Sequence, residues 1–382
     1  MSSMYRLVEN ARLDARNTFG VAARAPLLVE VADAAALPEL FGYAGLRDGP
    51  VLVLGGGSNL LFAGDPEGAV LALGGQRIGF VEREGGRALV RADAGVQWHD
   101  FVLWTLAHGL AGLENLALIP GTVGAAPIQN IGAYGVEAGE SIHVVEAFER
   151  ATGRLHRLDR DACAFAYRDS LFKREPDRFV VTAVEFALAP DTPLRLGYAG
   201  IAGELAAMSM ADAPRASQVA EAVIRIRRRK LPDPAVVGNA GSFFKNPVVP
   251  AAQARALQAE HPALPVFPLA PFPADAASKG LKGSGSFTHS GGSAPGTAGV
   301  NEPDPFNLPR KLSAAWLIES CGWKGHRQGD AGVAASHALV LVNHGGATGA
   351  QMLDLARRIA GSVHERFGVA LEPEPRIIGA RW

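Results

Sequence analysis

The chain has 382 residues, 48% of them hydrophobic and 20% charged, and a formal net charge of −1 from 37 basic and 38 acidic side chains. That length exceeds one small core, so two or three domains are expected, and the balanced charge excludes a global field that would recruit nucleic acid or an anionic membrane. Two distant cysteines, Cys163 and Cys321, form no CxxC pair, so disulfides are not expected to hold the fold.

The opening Met1-Ser-Ser-Met-Tyr-Arg6 lacks a charged-then-apolar signal pattern and no apolar run reaches 18 residues, so the expectation is a cytoplasmic protein with no membrane insertion. Val51-Leu-Val-Leu54 reads as a strand running into the glycine turn Gly55-Gly-Gly-Ser-Asn59, with further strands at Val70–Leu73 and Ala88–Ala92. Residues 96–108 read as a helix, with Val96, Phe101, Trp104 and Leu106 apolar and Gly109 as its stop. Strands follow near 143–149 and 180–188, then a helix from about Gln218 to Lys230 halted by Pro232. Between roughly Leu269 and Leu308 the composition turns to Gly, Ser and Pro and cannot bury enough apolar area to offset ordering entropy, which predicts a mobile insertion. The last helix is framed by Thr348 and Gln351 as a capping box and by Gly368, with Met352, Leu355, Ile359 and Val363 forming one stripe.

Several motifs can be closed. Gly55-Gly-Gly-Ser-Asn-Leu60 carries Leu60 where a dinucleotide fingerprint needs its third glycine, and there is no P-loop and no GxSxG elbow. His337 and His344 stand seven apart with no cysteine cluster beside them, so no metal is expected. The basic run Arg225–Lys230 reads as a solvated helix end complementing the dipole, with one or two members at most reaching a ligand phosphate.

Three segments invite a chemical reading. A strand followed by Gly55, Gly56, Gly57, Ser58 and Asn59 suits a phosphate cradle, because successive glycines expose N–H groups in a concave turn; a plain hairpin is the alternative. Residues 112–135 are nearly uncharged, glycine-rich and too irregular for helix or strand, so their backbone groups need partners, which a planar ligand bearing carbonyls and ring nitrogens would supply. In Gly238-Asn-Ala-Gly-Ser-Phe-Phe-Lys-Asn-Pro247, Ser242 sits between a flexible glycine and two phenylalanines that can shield its hydroxyl. A surface turn entering a strand is the bland reading of that decapeptide.

Ile119-Pro-Gly-Thr-Val-Gly124 and Pro127-Ile-Gln-Asn-Ile-Gly-Ala-Tyr-Gly135 resemble the flavin-cradling region of the UDP-N-acetylenolpyruvoylglucosamine reductase family. Asn17–Gly20, Gly55–Leu61, Tyr167-Arg-Asp-Ser-Leu-Phe-Lys173, Lys230-Leu-Pro-Asp-Pro234, Gly238–Pro247 and Leu371-Glu-Pro-Glu-Pro-Arg376 match the same family in order, from about residue 17 to 379. The Tyr-Arg-Asp-Ser segment and the third domain make the chain similar to the type I branch.

The resemblance implies an α+β chain: a vanillyl-alcohol-oxidase/PCMH-type FAD-binding fold of two α+β subdomains, 1–80 and 81–230, followed by an α+β substrate-binding domain, 231–382. It implies non-covalent FAD with NADPH as co-substrate, and reduction of UDP-N-acetylglucosamine enolpyruvate to UDP-N-acetylmuramate for peptidoglycan. Hydride would pass from flavin N5 to the enolpyruvyl methylene, leaving an enolate-like species that needs a clamp and a proton. Carried over residue by residue, Ser242 would give that proton, Arg168 would hold the carboxylate, and Glu374 would hydrogen-bond the intermediate. For Arg168 the alternative is a structural ion pair with Asp169 or Asp161; for Glu374 it is a surface glutamate between prolines. The FAD residues would be Gly55, Gly56, Gly57, Ser58, Asn59 and Leu60, then Ile119, Pro120, Gly121, Thr122, Gly124, Ala125, Ala126, Gln129, Asn130, Ile131 and Gly132. Tyr134, Tyr198, Lys230, Asn246 and His337 would meet the nucleotide sugar. Ala125 and Ala126 carry no hydroxyls where some relatives have serines. A monomer with no nucleic-acid partner is expected. The alternatives are an FAD-dependent oxidase of a hydroxy acid or alditol, and a non-catalytic nucleotide-sugar binder.

Overall fold

A computed structural model describes residues 4–84, 86–210, 212–268 and 308–382. The expected insertion at about 270–308 lies outside the described residues but for Leu308.

The N-terminal sheet runs in the order Tyr5–Arg12, Arg24–Val31, Ala69–Leu73, Val51–Leu54. Its first pair is antiparallel and the other two pairings are parallel. The parallel apolar runs Ala69–Leu73 and Val51–Leu54 end on the same side, where Val51–Leu54 delivers the chain into the glycine turn.

A second sheet is antiparallel throughout, ordered Arg154–Asp159, Ile142–Glu149, Phe179–Leu188, Arg87–Asp93, Ile78–Glu84. Its central strand, Phe-Val-Val-Thr-Ala-Val-Glu-Phe-Ala-Leu, is buried along nearly all its length. The one charge in that run, Glu185, takes both arms of the Arg157 guanidinium at 2.7 and 2.9 Å, which offsets the cost of burying it. Both edge strands escape a reading based on apolar runs, because an exposed edge carries charge instead of a buried stripe.

The C-terminal region holds a third sheet, ordered Gly238–Ser242, Val340–Asn343, Ala331–Val333, Arg327–Gln328, and a small one of Val248–Val249, Arg310–Leu312 and Val266–Pro268. The helix Gly349–Phe367 covers this region, with Met352, Leu355, Ile359 and Val363 buried, the Thr348–Gln351 capping box formed, and Gly368 left-handed at φ 64°. Near its end the chain crosses back: Arg376–Ile378 pairs in parallel with Leu60–Phe62 of the N-terminal region.

Two large hydrophobic cores result, beside two smaller clusters. One unites residues from 11–70 with residues from 240–378, and the other joins residues between 88 and 226. The glycine turn belongs to the first side and the 112–135 loop to the second, so the two loops meet where the cores adjoin. The helix expected over 96–108 spans Trp98–Ala107. Its start is displaced because Gln97 bridges Thr122 and the Trp98 amide donates to Gly121 O, so the loop takes the backbone that would have begun the helix.

Candidate active site

The glycine turn is clasped from two sides. A Cβ on Gly55 would lie 2.8 Å from Thr122 Oγ1, one on Gly56 2.8 Å from Gly121 Cα, and one on Gly57, at φ 64°, 2.0 Å from Arg16 O. The missing side chains therefore admit neighbouring backbone. Ser58 Oγ donates to Pro120 O at 3.1 Å, Asn59 Nδ2 to Glu374 O at 3.4 Å, and the Arg376 amide to Asn59 O at 3.0 Å. The N–H groups of Gly56, Gly57, Ser58 and Asn59 donate to no acceptor among the described residues. Four consecutive donors in one turn are the chemistry of an anion cradle and fit a pyrophosphate. Leu60 is buried as the first residue of the next strand.

The 112–135 loop satisfies much of its backbone within the chain, contrary to the expectation that a ligand must do so. Leu116 O accepts from Trp98 Nε1, the Leu118 amide donates to His99 Nδ1, and the amides of Val123 and Gly124 donate to Val96 O and Ala94 O. A Cβ on Gly124 would sit 2.5 Å from Ala94 Cβ, so that glycine serves packing. Asn130, fully buried at φ 47°, spends its amide on Glu137, Ala166 O and the Gly139 amide. Its side chain is structural, so any contact with a cofactor falls to its backbone. Thr122, Ala126 and Gln129 are buried, Ile119, Ala125, Ile131 and Gly132 are half-buried, and Pro120 is exposed. The loop is thus preformed around the turn.

Ser242 ends the strand Gly238–Ser242, half-buried and paired with Val340 across a register shift that begins at Asn239. Gly241 takes φ 67° there, and such a bulge turns the next side chain off the regular pleat. The hydroxyl makes no hydrogen bond among the described residues. Phe243 and Phe244 were expected to shield it, but both rings are core side chains, packed edge-on to each other at 5.2 Å and against Phe19 and Trp382. They anchor the backbone that carries Ser242.

The residue after Ser242 accepts from Glu374: the Glu374 amide meets Phe243 O at 2.8 Å, and Phe244 bridges Pro373. Glu374 Oε1 then lies 3.0 Å from Arg168 Nε and 3.2 Å from Gln129 Nε2. The Arg168 N–H is not aimed along that line, so the contact is an ion pair and not a hydrogen bond. Arg168 Nη2 donates to Gly132 O at 2.7 Å, and its guanidinium lies 5.2 Å from the Tyr167 ring centroid. Burial disfavours its charge, but Glu374, Tyr167 and Glu137 outweigh burial and hold its pKa above the ordinary value. Asp169 pairs with Arg174, which rules out the Asp169 ion-pair reading of Arg168. Three residues spread over more than 200 positions of sequence thus share one small site.

Four of the five substrate candidates fall in two groups, and Asn246 stands apart. Tyr134 and Tyr198 meet edge-on at 4.9 Å, Tyr134 at φ 51° and Tyr198 47% exposed. Lys230, exposed at a helix end, helps to lower the half-buried His337 below its usual pKa, after burial itself. Neither group bonds to the Arg168–Glu374 pair among the described residues. Asn246 Oδ1 accepts from the Ala314 amide at 3.0 Å and so fixes the start of the helix Ala314–Ser320.

Residue types alone did not single out four further members. Tyr167 packs between Arg168 and the Lys311 ammonium, which lies 4.5 Å from its ring centroid. Burial raises Glu137, with Arg168 and Lys311 opposing. Arg227 is the basic-run member that turns inward, donating to Leu118 O at 3.2 Å and facing Tyr134. Lys173 is the fourth; it sits inside the quoted Tyr-Arg-Asp-Ser-Leu-Phe-Lys motif, five positions beyond Arg168, which was the available signal. The cations that gather here, Arg168, Lys173 and Lys311, suit an anionic substrate.

The sequence profile of the UDP-N-acetylenolpyruvoylglucosamine reductase C-terminal domain matches residues 233–378, and that of an FAD binding domain matches residues 25–159. The UDP-N-acetylenolpyruvoylglucosamine reductase of Xanthomonas euvesicatoria pv. vesicatoria (strain 85-10) is 53% identical over 378 residues, covering 99% of this chain and 98% of that one. The protein of the same name from Xylella fastidiosa (strain M12) is 52% identical over 373 residues, covering 98% and 96%. The crystal structure of UDP-N-acetylenolpyruvylglucosamine reductase from Thermus caldophilus superposes with a TM-score of 0.61 at 23% identity, covering 98% of each chain, a likeness of fold.

Proposed function

The chain belongs to the UDP-N-acetylenolpyruvoylglucosamine reductase family, and from that premise we propose that Arg168, Ser242 and Glu374 form its reducing site. The enzyme is an FAD-dependent, NADPH-consuming oxidoreductase that converts UDP-N-acetylglucosamine enolpyruvate to UDP-N-acetylmuramate in peptidoglycan synthesis. FAD, when bound, supplies two-electron transfer from NADPH to the enolpyruvyl double bond.

The chain's own residues do the rest. The open donors of Gly56–Asn59 hold pyrophosphate, and the preformed 119–132 loop lies against them to receive the ring system. The Arg168 fork keeps donors beyond the one turned to Gly132, and these grip the substrate carboxylate, where charge grows as the double bond is reduced. Ser242 Oγ gives its proton to the carbon beside that carboxylate; a hydroxyl is a weak acid, so the surrounding site must stabilise what it becomes. Glu374, held by Arg168 and Gln129, hydrogen-bonds the intermediate from the bend whose backbone meets the residue after Ser242. Tyr134, Tyr198, Lys230, Asn246 and His337 take the nucleotide sugar. We assign FAD binding to 1–80 and 81–230, substrate binding to 231–382, and the protein to the cytoplasm as a monomer. Among the described residues no helix is long and apolar enough to cross a membrane.

One observation carries the reading: Glu374 touches Arg168 with its side chain and, with its backbone, Phe243, the residue after Ser242. An anaerobic titration tests it. NADPH should bleach the flavin absorbance of the purified protein, and the enolpyruvyl sugar should restore it; restoration by dioxygen alone would favour an oxidase.

A further inference from the structure

Arg168 occupies a conformation that arginine seldom adopts. It stands at φ 53°, inside a four-residue turn that Ala166 and Asp169 close with reciprocal backbone bonds at 3.0 and 3.1 Å. A left-handed residue with a Cβ costs about 1–2 kcal/mol, so something must hold the turn. Ser170 Oγ ties it to Ile128 O at 2.6 Å, and Lys173 Nζ donates to Arg168 O at 2.9 Å.

The same ammonium lies 3.5 Å from Gln129 Oε1, while Gln129 Nε2 points to Glu374. An amide whose oxygen faces a cation must turn its NH2 group the other way, so the ammonium selects the Gln129 orientation that donates to the Glu374 carboxylate. Lys173 thereby touches both arms of the site, the backbone under Arg168 and the amide against Glu374. Burial first and Lys245 second draw its pKa below the usual lysine range, with Arg168 adding to them and Glu374 and Asp169 opposing. A cation placed where its charge is disfavoured is held there by its acceptors.

We infer that Lys173 is a positioning residue of the reducing site, setting the Arg168 guanidinium and the Glu374 carboxylate in register for the substrate carboxylate. The inference rests on the function proposed above and adds to it a residue that need not touch substrate.

The test compares the two half-reactions by stopped flow in the native holoenzyme, Lys173→Met, Lys173→Arg and Gln129→Leu. The expected result is that Lys173→Met slows flavin reoxidation by saturating UDP-N-acetylglucosamine enolpyruvate about 100-fold, the scale of a misplacement near 1 Å. That loss should exceed any slowing of reduction by NADPH at least tenfold, with KM for the sugar moving less than kcat. Lys173→Arg, which keeps the charge and a donor, should recover most of the rate. Reoxidation of Lys173→Met at the native rate, or equal slowing of both half-reactions, overturns the inference. Should Lys173→Met fail to fold, the other two variants decide: Gln129→Leu must show the same selective loss and Lys173→Arg must stay near native, and any other result overturns it. Failure of the functional reading looks different, since the native protein itself would then not be reoxidised by the sugar.

Discussion

At the scale of single residues, the site rests on side chains with different jobs. Ser242 is half-buried and uncommitted, so its removal should leave the fold intact. Ser242→Ala is expected to lose about 10²–10⁴ in reduction of the enolpyruvyl sugar, the range for a lost general acid, while the flavin still accepts hydride from NADPH. Equal loss in both steps, followed as flavin absorbance, would sink the proton-donor role. His337 sets a pH limit. Burial, Lys230 and Lys324 depress its pKa below 6.5, with Glu319 opposing. The unfolded chain then takes up the proton first, so stability is full above the unfolded value and declines as pH falls through 6.5 toward the folded value. Melting temperatures from pH 7.5 to 5 should fall less steeply in His337→Asn than in the native protein; parallel curves would refute the assignment.

At the scale of elements, the helix Gly349–Phe367 is the clearest case of sequence specifying structure. Its capping box, its left-handed terminal glycine and its stripe at Met352, Leu355, Ile359 and Val363 agree with one another and are all realised. Ile359 is fully buried, so Ile359→Ala should cost about 2–5 kcal/mol in denaturant unfolding. Glu365→Ala on the exposed face should stay within about 0.5 kcal/mol. Comparable costs at the two positions would show that the stripe does not carry the helix. The decapeptide around Ser242 behaved otherwise: its phenylalanines looked like a cover for the hydroxyl and proved to be core anchors. Adjacent aromatics mark a buried segment, but which face each ring takes depends on the bulge at Gly241 and on the strand it pairs with.

At the scale of the whole molecule, the chain's last strand closes the site. Arg376–Ile378 lies along Leu60–Phe62, its first amide bonds to Asn59 O, and Trp382 packs on Phe244. Removing residues 376–382 should therefore weaken FAD binding by at least about tenfold, one hydrogen bond's worth, as read from flavin fluorescence of the released cofactor. Unchanged affinity would mean that the glycine turn holds its shape unaided.

Local chemistry is what the sequence determined by itself. The glycine turn, the uncharged loop, the helix stops and the ordered motifs could be read because each depends on neighbours within a few positions. Only the tertiary structure decided which distant groups meet. Arg168 could as well have paired with Asp169, the next residue, and Glu374 could have stood alone on the surface. Instead the crossing strand at Arg376–Ile378 brings Glu374 beneath Arg168, and Lys173 and Gln129 fix both. A side chain's partner is set by the packing of remote strands, and no spacing within a motif encodes that packing.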